Sequence, residues 1–346
     1  MSDEEGLTSF TELIDLASER LGGAAMAAND EFFAPKENLL KLHRPEWREG
    51  KYTQRGKWMD GWETRRRREP GHDWCLIRLG LPGIVRGVCV DTTHFKGNFP
   101  EACSIEVCDA HGRPGAQRLV KGIAVWTEAL PKSSLKGDGE NLFPIEHDGR
   151  VTHLRLHIYP DGGVARLRVY GQAAPDWDAL TRAGGDVDLA AAENGGLVVA
   201  ASDAFFGSRH NLILPGRGRD LSDGWETRRR RGLGHDWAIV ALGRAGVVRR
   251  VEVDTIHFKG NAPAACAIDV AHAPGAVPDA LTDPARAWKE LLPKTKLQPN
   301  ALHRFEREVQ AAGEATHARF HIYPDGGVSR LRLWGRPSAR TRSGRR

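Results

Sequence analysis

Three polar stretches stand twice in the chain. Asp60 to Trp74 reads DGWETRRRREPGHDW, and Asp223 to Trp237 reads DGWETRRRRGLGHDW. Asp91-Thr92-Thr93-His94-Phe95-Lys96-Gly97-Asn98 is matched by Asp254-Thr255-Ile256-His257-Phe258-Lys259-Gly260-Asn261. His157-Ile158-Tyr159-Pro160-Asp161-Gly162-Gly163 recurs unchanged from His321 to Gly327. A duplicated fold need keep only its apolar pattern, so repeated charges imply retained chemistry or retained polar packing. The residue types suit a small anion. His94 and His257 can move protons near neutral pH. Lys96 and Lys259 can hold an anion, and Asn98 and Asn261 can hydrogen-bond a urea-like or amide group. A planar guanidinium from Arg65 or Arg67, and from Arg228 or Arg230, matches a carboxylate bidentately. The plainer alternative stays open: the arginines pair with acidic neighbours along an edge strand, and Asn98 and Asp91 tie down a loop.

Other chemistries find less support. His72, Asp73, Asp91, His94, His153 and His157 are of metal-ligand type but carry no HxH or HExxH signature. No cofactor is expected, and a metal held by scattered residues is left open. Nucleophile-elbow and phosphate-loop signatures are absent. The five cysteines, at 75, 89, 103, 108 and 266, show no CxxC spacing, which fits a reducing compartment. The N-terminus is acidic, unlike a signal peptide, and no apolar run reaches membrane-spanning length. A cytoplasmic protein without a membrane partner is expected. Much of the net charge of +5 sits in the C-terminal run from Arg336, so little global basicity argues for a nucleic-acid partner.

The elements that must position these residues read mostly as strands. With 346 residues the chain has room for two domains, and 39 glycines and 19 prolines favour many turns. An amphipathic helix is expected from Phe10 to Leu21, with Ser9 and Glu12 at capping-box spacing, an apolar stripe of Phe10, Leu13, Ile14, Ala17 and Leu21, and Gly22 as its stop. The expected layout is an N-terminal helix within 1–22, a first repeat over 23–175, a linker over 176–195, a second repeat over 196–336 and a disordered basic tail over 337–346. Ile84 to Phe95 and Cys103 to Val107 read as strands. Thr152 to Tyr159 places Leu154, Leu156 and Ile158 on one face and Arg155, His157 and Tyr159 on the other. Pro160-Asp161-Gly162-Gly163 then reads as a hairpin turn, setting His157 opposite Arg166 and Arg155 opposite Arg168. Arg319, His321, Arg330 and Arg332 form the same face in the second copy. The arginine runs between Trp62 and Trp74 read as strand. Each copy is therefore expected to be an antiparallel jelly-roll sandwich. The string Gly61-Trp62 … His72-Asp73-Trp74 … Leu79-Gly80 is similar to the pattern of galactose-binding-like, discoidin-type sandwiches.

A closer resemblance follows from the longest blocks. Ile14-Asp15-Leu16-Ala17-Ser18-Glu19-Arg20-Leu21-Gly22-Gly23, the stretch from Ala27 to Leu40, and the twin DGWETRRRR, DTxHFKGN and HIYPDGG blocks together resemble the allantoicase family, over about residues 14 to 335. That resemblance implies two jelly-roll repeats, hydrolysis of allantoate to (S)-ureidoglycolate and urea in purine breakdown, and a cytosolic homo-oligomer. Such a reaction needs a cationic clamp, an acid for the departing urea and a base for water. The clamp is expected from Arg65, Arg67, Arg228 or Arg230 with Lys96 or Lys259. Proton transfer is expected from His94 or His257, helped by Glu63 or Glu226. Asn98 or Asn261 would hold a ureido group, with His157 and His321 also in substrate contact. The charged set is intact in both copies, which favours one site in each, or sites drawing on both, over a single working copy. The rival reading is a non-catalytic binding module of galactose-binding-like fold.

Overall fold

A computed structural model describes residues 10–339 of the chain apart from positions 111, 113 and 123. The chain divides into two units, Met1–Ala174 and Pro175–Arg346. The first holds strands β1 (Ile14–Asp15), β2 (Ala24–Ala28), β3 (Tyr52–Thr53), β4 (Gly56–Lys57), β5 (Trp62–Glu63), β6 (Asp73–Asp91), β7 (Ala102–Cys108), β8 (Thr127–Ser134), β9 (Glu140–Pro144), β10 (Val151–Tyr159), β11 (Gly163–Val164) and β12 (Arg166–Ala173). The second repeats all of these but the β3–β4 hairpin. Its strands are β13 (Val187–Asp188), β14 (Leu197–Ala201), β15 (Trp225–Glu226), β16 (Asp236–Asp254), β17 (Ala265–Ala271), β18 (Lys289–Lys296), β19 (Leu302–Phe305), β20 (Ala315–Tyr323), β21 (Gly327–Val328) and β22 (Arg330–Pro337).

Strand β6 belongs to both layers of its sandwich. Its first part pairs with β2 and β10, and its last part, toward Asp91, pairs with β12 and β9. The corner between them is Leu79-Gly80-Leu81-Pro82-Gly83, where proline has no ladder donor and glycine admits a crossing chain. A Cβ on Gly80 would lie 2.7 Å from the Leu21 backbone, which passes over this corner. From β10 the first layer continues through β7 to β8, while β12 leads to β1 in the second. Leu154, Leu156 and Ile158 of β10 and Leu167 and Val169 of β12 are fully buried, so both strands send their apolar residues into the core. In the second unit β16 plays the same double role with β14, β20, β22 and β19. The expected jelly-roll sandwiches are what forms.

Four local expectations need revision. The N-terminal helical segment consists of two 3-10 turns, Phe10–Glu12 and Glu19–Leu21, separated by β1. Gly22 does close the second turn, at φ 90°. Ser9 lies outside the described residues. Strand pairing wins over a continuous helix because the Asp15 carboxylate accepts from the Val169 amide (2.9 Å) and Leu16 donates to the Val169 carbonyl (2.7 Å). Residues 176–195, expected as a linker, form a helix (Trp177–Ala183), β13 and a 3-10 turn (Ala192–Asn194). β13 pairs with β22 just as β1 pairs with β12, so this stretch is the opening of the second repeat. The hairpin does not form: β10 pairs with β6 and β7, and β12 with β6 and β1. His157 therefore sits beside Trp74 and Ser104, and Arg166 beside Asp91, because the turn carries the chain from one layer to the other. Finally, the strands at Trp62–Glu63 and Trp225–Glu226 stop before the arginines, which follow an irregular path. Of the basic tail, residues 340–346 lie outside the described residues.

The stretch that leads into β5 is anchored by a side chain. Arg166, 1% exposed, supplies it by donating to the Asp60 carboxylate (2.5 Å), the Asp60 carbonyl (2.7 Å) and the His43 carbonyl (3.1 Å). Burial opposes ionisation of Asp60, but Arg166, the Glu46 amide and Lys41 outweigh it and hold the carboxyl below the usual range. Arg330 repeats the arrangement on the Asp223 carboxylate (2.9 Å) and carbonyl (2.6 Å). Removing one member of a buried pair strands the other charge, so Arg166→Met is expected to cost about 3–5 kcal/mol in urea denaturation. Adding Asp60→Asn to it should restore part of that loss.

Candidate active site

Glu63 reaches its place through Trp62, whose fully buried indole donates from Nε1 to the Asp30 carbonyl (2.8 Å). β5 pairs with β11, setting Glu63 opposite Gly163. Gly163 donates to the Asn98 carbonyl (2.7 Å), and a Cβ there would fall 1.9 Å from the Phe95 ring. The Pro-Asp-Gly-Gly turn thus presses the His-Phe-Lys-Gly-Asn loop against β5. Asn98 Nδ2 then donates to Glu63 Oε1 at 2.7 Å. Burial pushes the Glu63 carboxyl above its ordinary range, and the Asn98 hydrogen bond offsets this only in part.

His94 adopts a left-handed backbone, φ 71°, which few non-glycine residues tolerate without outside support. The support is Asp138, whose Oδ1 accepts the His94 amide (2.8 Å). His94 Nε2 lies 3.2 Å from the Pro45 carbonyl. A carbonyl only accepts, so Nε2 carries the proton and Nδ1 is the atom that can gain or lose one. Lys96 is 78% exposed and stands 3.7 Å from Asp138. Glu63, His94, Lys96 and Asn98 all line one cavity of about 360 Å³, completed by Phe33, Trp47, Lys57 and Met59. Met59, Phe95 and Ala165 pack together with Phe99 beside it.

The second repeat keeps the polar skeleton. Asn261 donates to Glu226 (2.5 Å), and His257, φ 77°, has its amide held by Asn300 (3.0 Å) and its Nε2 by the Gly218 carbonyl (3.0 Å). Lys259 occupies the position of Lys96.

The other repeated residues are engaged elsewhere. Arg65 binds Asp30 (2.6 Å), and Arg67 binds Asp73 (2.7 Å) while its amide donates to Asp161 (2.9 Å). Arg228 pairs with Asp203 (3.4 Å), and Arg230 with Asp236. His157 joins His72 (2.9 Å) to Glu106 (2.9 Å), with Arg155 also on Glu106 (3.2 Å). His321 joins His235 (2.8 Å) to Asp269 (3.0 Å), with Arg319 on the same carboxylate. Neither Arg65, Arg67 nor His157 lines the Glu63 cavity. Burial pushes His72 and His157 below the usual histidine range, consistent with neutral rings in a fixed frame.

Several residues escaped the sequence reading. Asp60 is one, although it stands inside the repeated DGWE block; its partner Arg166, expected opposite His157, and Arg330, expected in the face with His321, act as anchors instead. Glu106 and Asp269 hold matching places in β7 and β17, a conserved carboxylate hidden by a change of residue type. Trp47, Lys57 and Met59 belong to the stretch where the two copies differ, so repetition offered no signal for them. All five cysteines are free and buried; Cys103, for example, has its thiol pushed up to about 12 by burial. Among the described residues no three His, Cys, Asp or Glu side chains group as a metal would require. No helix among them is long and apolar enough to cross a membrane.

Comparison with known proteins accounts for nearly all of the chain. The family model "Allantoicase repeat" matches residues 14–174 and 187–338. A "Probable allantoicase 1" of Burkholderia mallei is 49% identical, covering 97% of this chain and 98% of its own. A "Probable allantoicase" of Pseudomonas aeruginosa is 49% identical over 95% of this chain and 97% of its own. The crystal structure of allantoicase from Saccharomyces cerevisiae aligns with a TM-score of 0.80 at 35% identity, covering 96% of this chain and 98% of that one. Two matched repeats and near-complete coverage at this identity establish that the chain belongs to the allantoicase family.

Proposed function

We infer that this chain hydrolyses allantoate to ureidoglycolate and urea in purine degradation. The observation that carries the reading is its 49% identity to a probable allantoicase over 97% of its length. The reaction exchanges urea for water at the carbon bearing the carboxylate. One C–N bond breaks, one C–O bond forms, a proton leaves the water and a proton reaches the departing nitrogen. It is redox-neutral, so no electron carrier is called for.

The cavity of the first repeat suits each requirement. Glu63, made more basic by burial, takes the proton from water. His94 delivers one from Nδ1 to the departing urea, its Nε2 being fixed on Pro45. Lys96 attracts the substrate's carboxylate. Asn98 orients Glu63 through Nδ2 and leaves its Oδ1 to accept from a ureido N–H. Glu226, His257, Lys259 and Asn261 offer the same set in the second repeat. Arg65, Arg67, Arg228 and Arg230, with His157 and His321, act as the frame that holds these loops. Their carboxylate partners also leave those arginines little charge for nucleic acid. The five buried free thiols support a reducing, cytoplasmic setting. We further propose a homo-oligomer, which light scattering at the mass of one chain would overturn.

Glu63→Gln combined with Glu226→Gln is expected to lower kcat by about 10²–10⁴-fold in a urea-release assay. Near-normal turnover would remove these carboxylates from the mechanism. The Asn98 hydrogen bond favours the ionised form of Glu63 and so lowers its pKa. Asn98→Ala should therefore move the acid limb of the kcat/KM profile to higher pH. A limb that stays put, or moves to lower pH, would disconnect Glu63 from it.

A further inference from the structure

The two repeats share a polar skeleton but not its surroundings. From Leu40 to Asp60 the first repeat runs twenty residues, whereas the equivalent path from Ile213 to Asp223 runs ten. The extra length carries the β3–β4 hairpin together with Trp47 and Lys57, both of which line the Glu63 cavity. Counting back from the shared aspartate, the place of Lys57 in the second repeat falls to Asp220, and that of Met59 to Ser222. The Asp220 carboxylate is occupied locally, accepting from the Ser222 amide (2.8 Å) and hydroxyl (2.6 Å).

The apolar packing beside the cavity diverges in step. Met59, Phe95, Phe99 and Ala165 are answered by Ser222, Phe258, Ala262 and Ser329. Ser329 even turns its hydroxyl onto the Ile256 carbonyl. Less apolar bulk means weaker exclusion of water, and charge–charge attraction falls as the local dielectric rises.

Within the first cavity the two lysines are not equivalent. Lys96 already has Asp138 beside it. Lys57 has no acidic partner among the described residues; its ammonium lies 4.0 Å from the centroid of the Trp47 ring. Trp47 is fixed in turn, donating from Nε1 to Glu49 (2.8 Å) and lying 5.7 Å from the His94 ring. A cation resting on an aromatic face keeps its N–H donors available for an anion.

We propose that Lys57 joins Lys96 in binding the carboxylate of the substrate, and that the first repeat therefore binds allantoate more tightly than the second. This rests on the allantoate-hydrolysing function inferred above. Trp47 acts as a positioning residue, holding Lys57 and His94 on one surface.

Steady-state urea release by the full chain tests the assignment. Lys57→Met should raise KM for allantoate by about 10–100-fold, as loss of a charge-assisted contact does, with kcat within about twofold. Lys57→Arg should restore most of the affinity. An unchanged KM for Lys57→Met overturns the proposal, as does a KM rise that Lys57→Arg fails to rescue, which would mark a packing role. If the unaltered protein releases no urea from allantoate, it is the functional reading that fails. Calorimetry of allantoate binding to the Glu63→Gln/Glu226→Gln variant should find one strong site per chain, weakened by Lys57→Met. Two sites of equal affinity would overturn the inequality of the repeats.

Discussion

Each unit of this protein rests on one guanidinium. Arg166 and Arg330 stand at the first position of their strands and gather backbone and carboxylate oxygens from a stretch outside the eight-stranded sheet. Arginine suits the task because its planar donors cannot be discharged and satisfy several acceptors at once. Glu63 follows Asp60 by three residues, so its position is set by the same clamp. The tight turn behind β11 then pushes Asn98 onto it. The geometry of the candidate site is a consequence of buried electrostatics a short distance away.

Repeated polar residues admit two explanations, chemistry and packing, and the structure separates those that line a cavity from those that pair with one another. Glu63, His94, Lys96 and Asn98 face a shared cavity. The arginines, His72, His157 and Glu106 bind each other or nearby carboxylates, and their counterparts do likewise. The exchange of Glu106 for Asp269 preserves a charge partner while shortening its arm. That tolerance befits a frame, where a carboxylate must meet an imidazole and little else.

The fold was legible where periodicity is unambiguous. The alternation through Leu154, Leu156 and Ile158 named a strand and its buried face correctly. Partners were harder to read. Pro-Asp-Gly-Gly announces a reversal but not whether the chain re-enters its own sheet, and here it changes layer. The spacing of Phe10, Ile14 and Ala17 fits a helix, yet hydrogen bonds from β12, over 150 residues away, decide for a strand. The candidate site was legible to the extent that it was duplicated. His94, Lys96, Asn98 and Glu63 stood out as pairs, whereas Trp47 and Lys57 occur in one copy only. The buried clamp was invisible for another reason: Asp60 and Arg166 are 106 residues apart and carry no mutual signal.

The short strand β13 bears on where this chain can be divided. It covers the edge of β22, and the Asp188 carboxylate satisfies the Leu333 amide (2.9 Å). A fragment begun after the alanine-rich stretch, at residue 196, would bare that edge and leave Leu333 without its acceptor. Exposed strand edges recruit other chains. Cut at residue 175, the second repeat keeps its own hem; cut at residue 196, it is left with a seam open to aggregation.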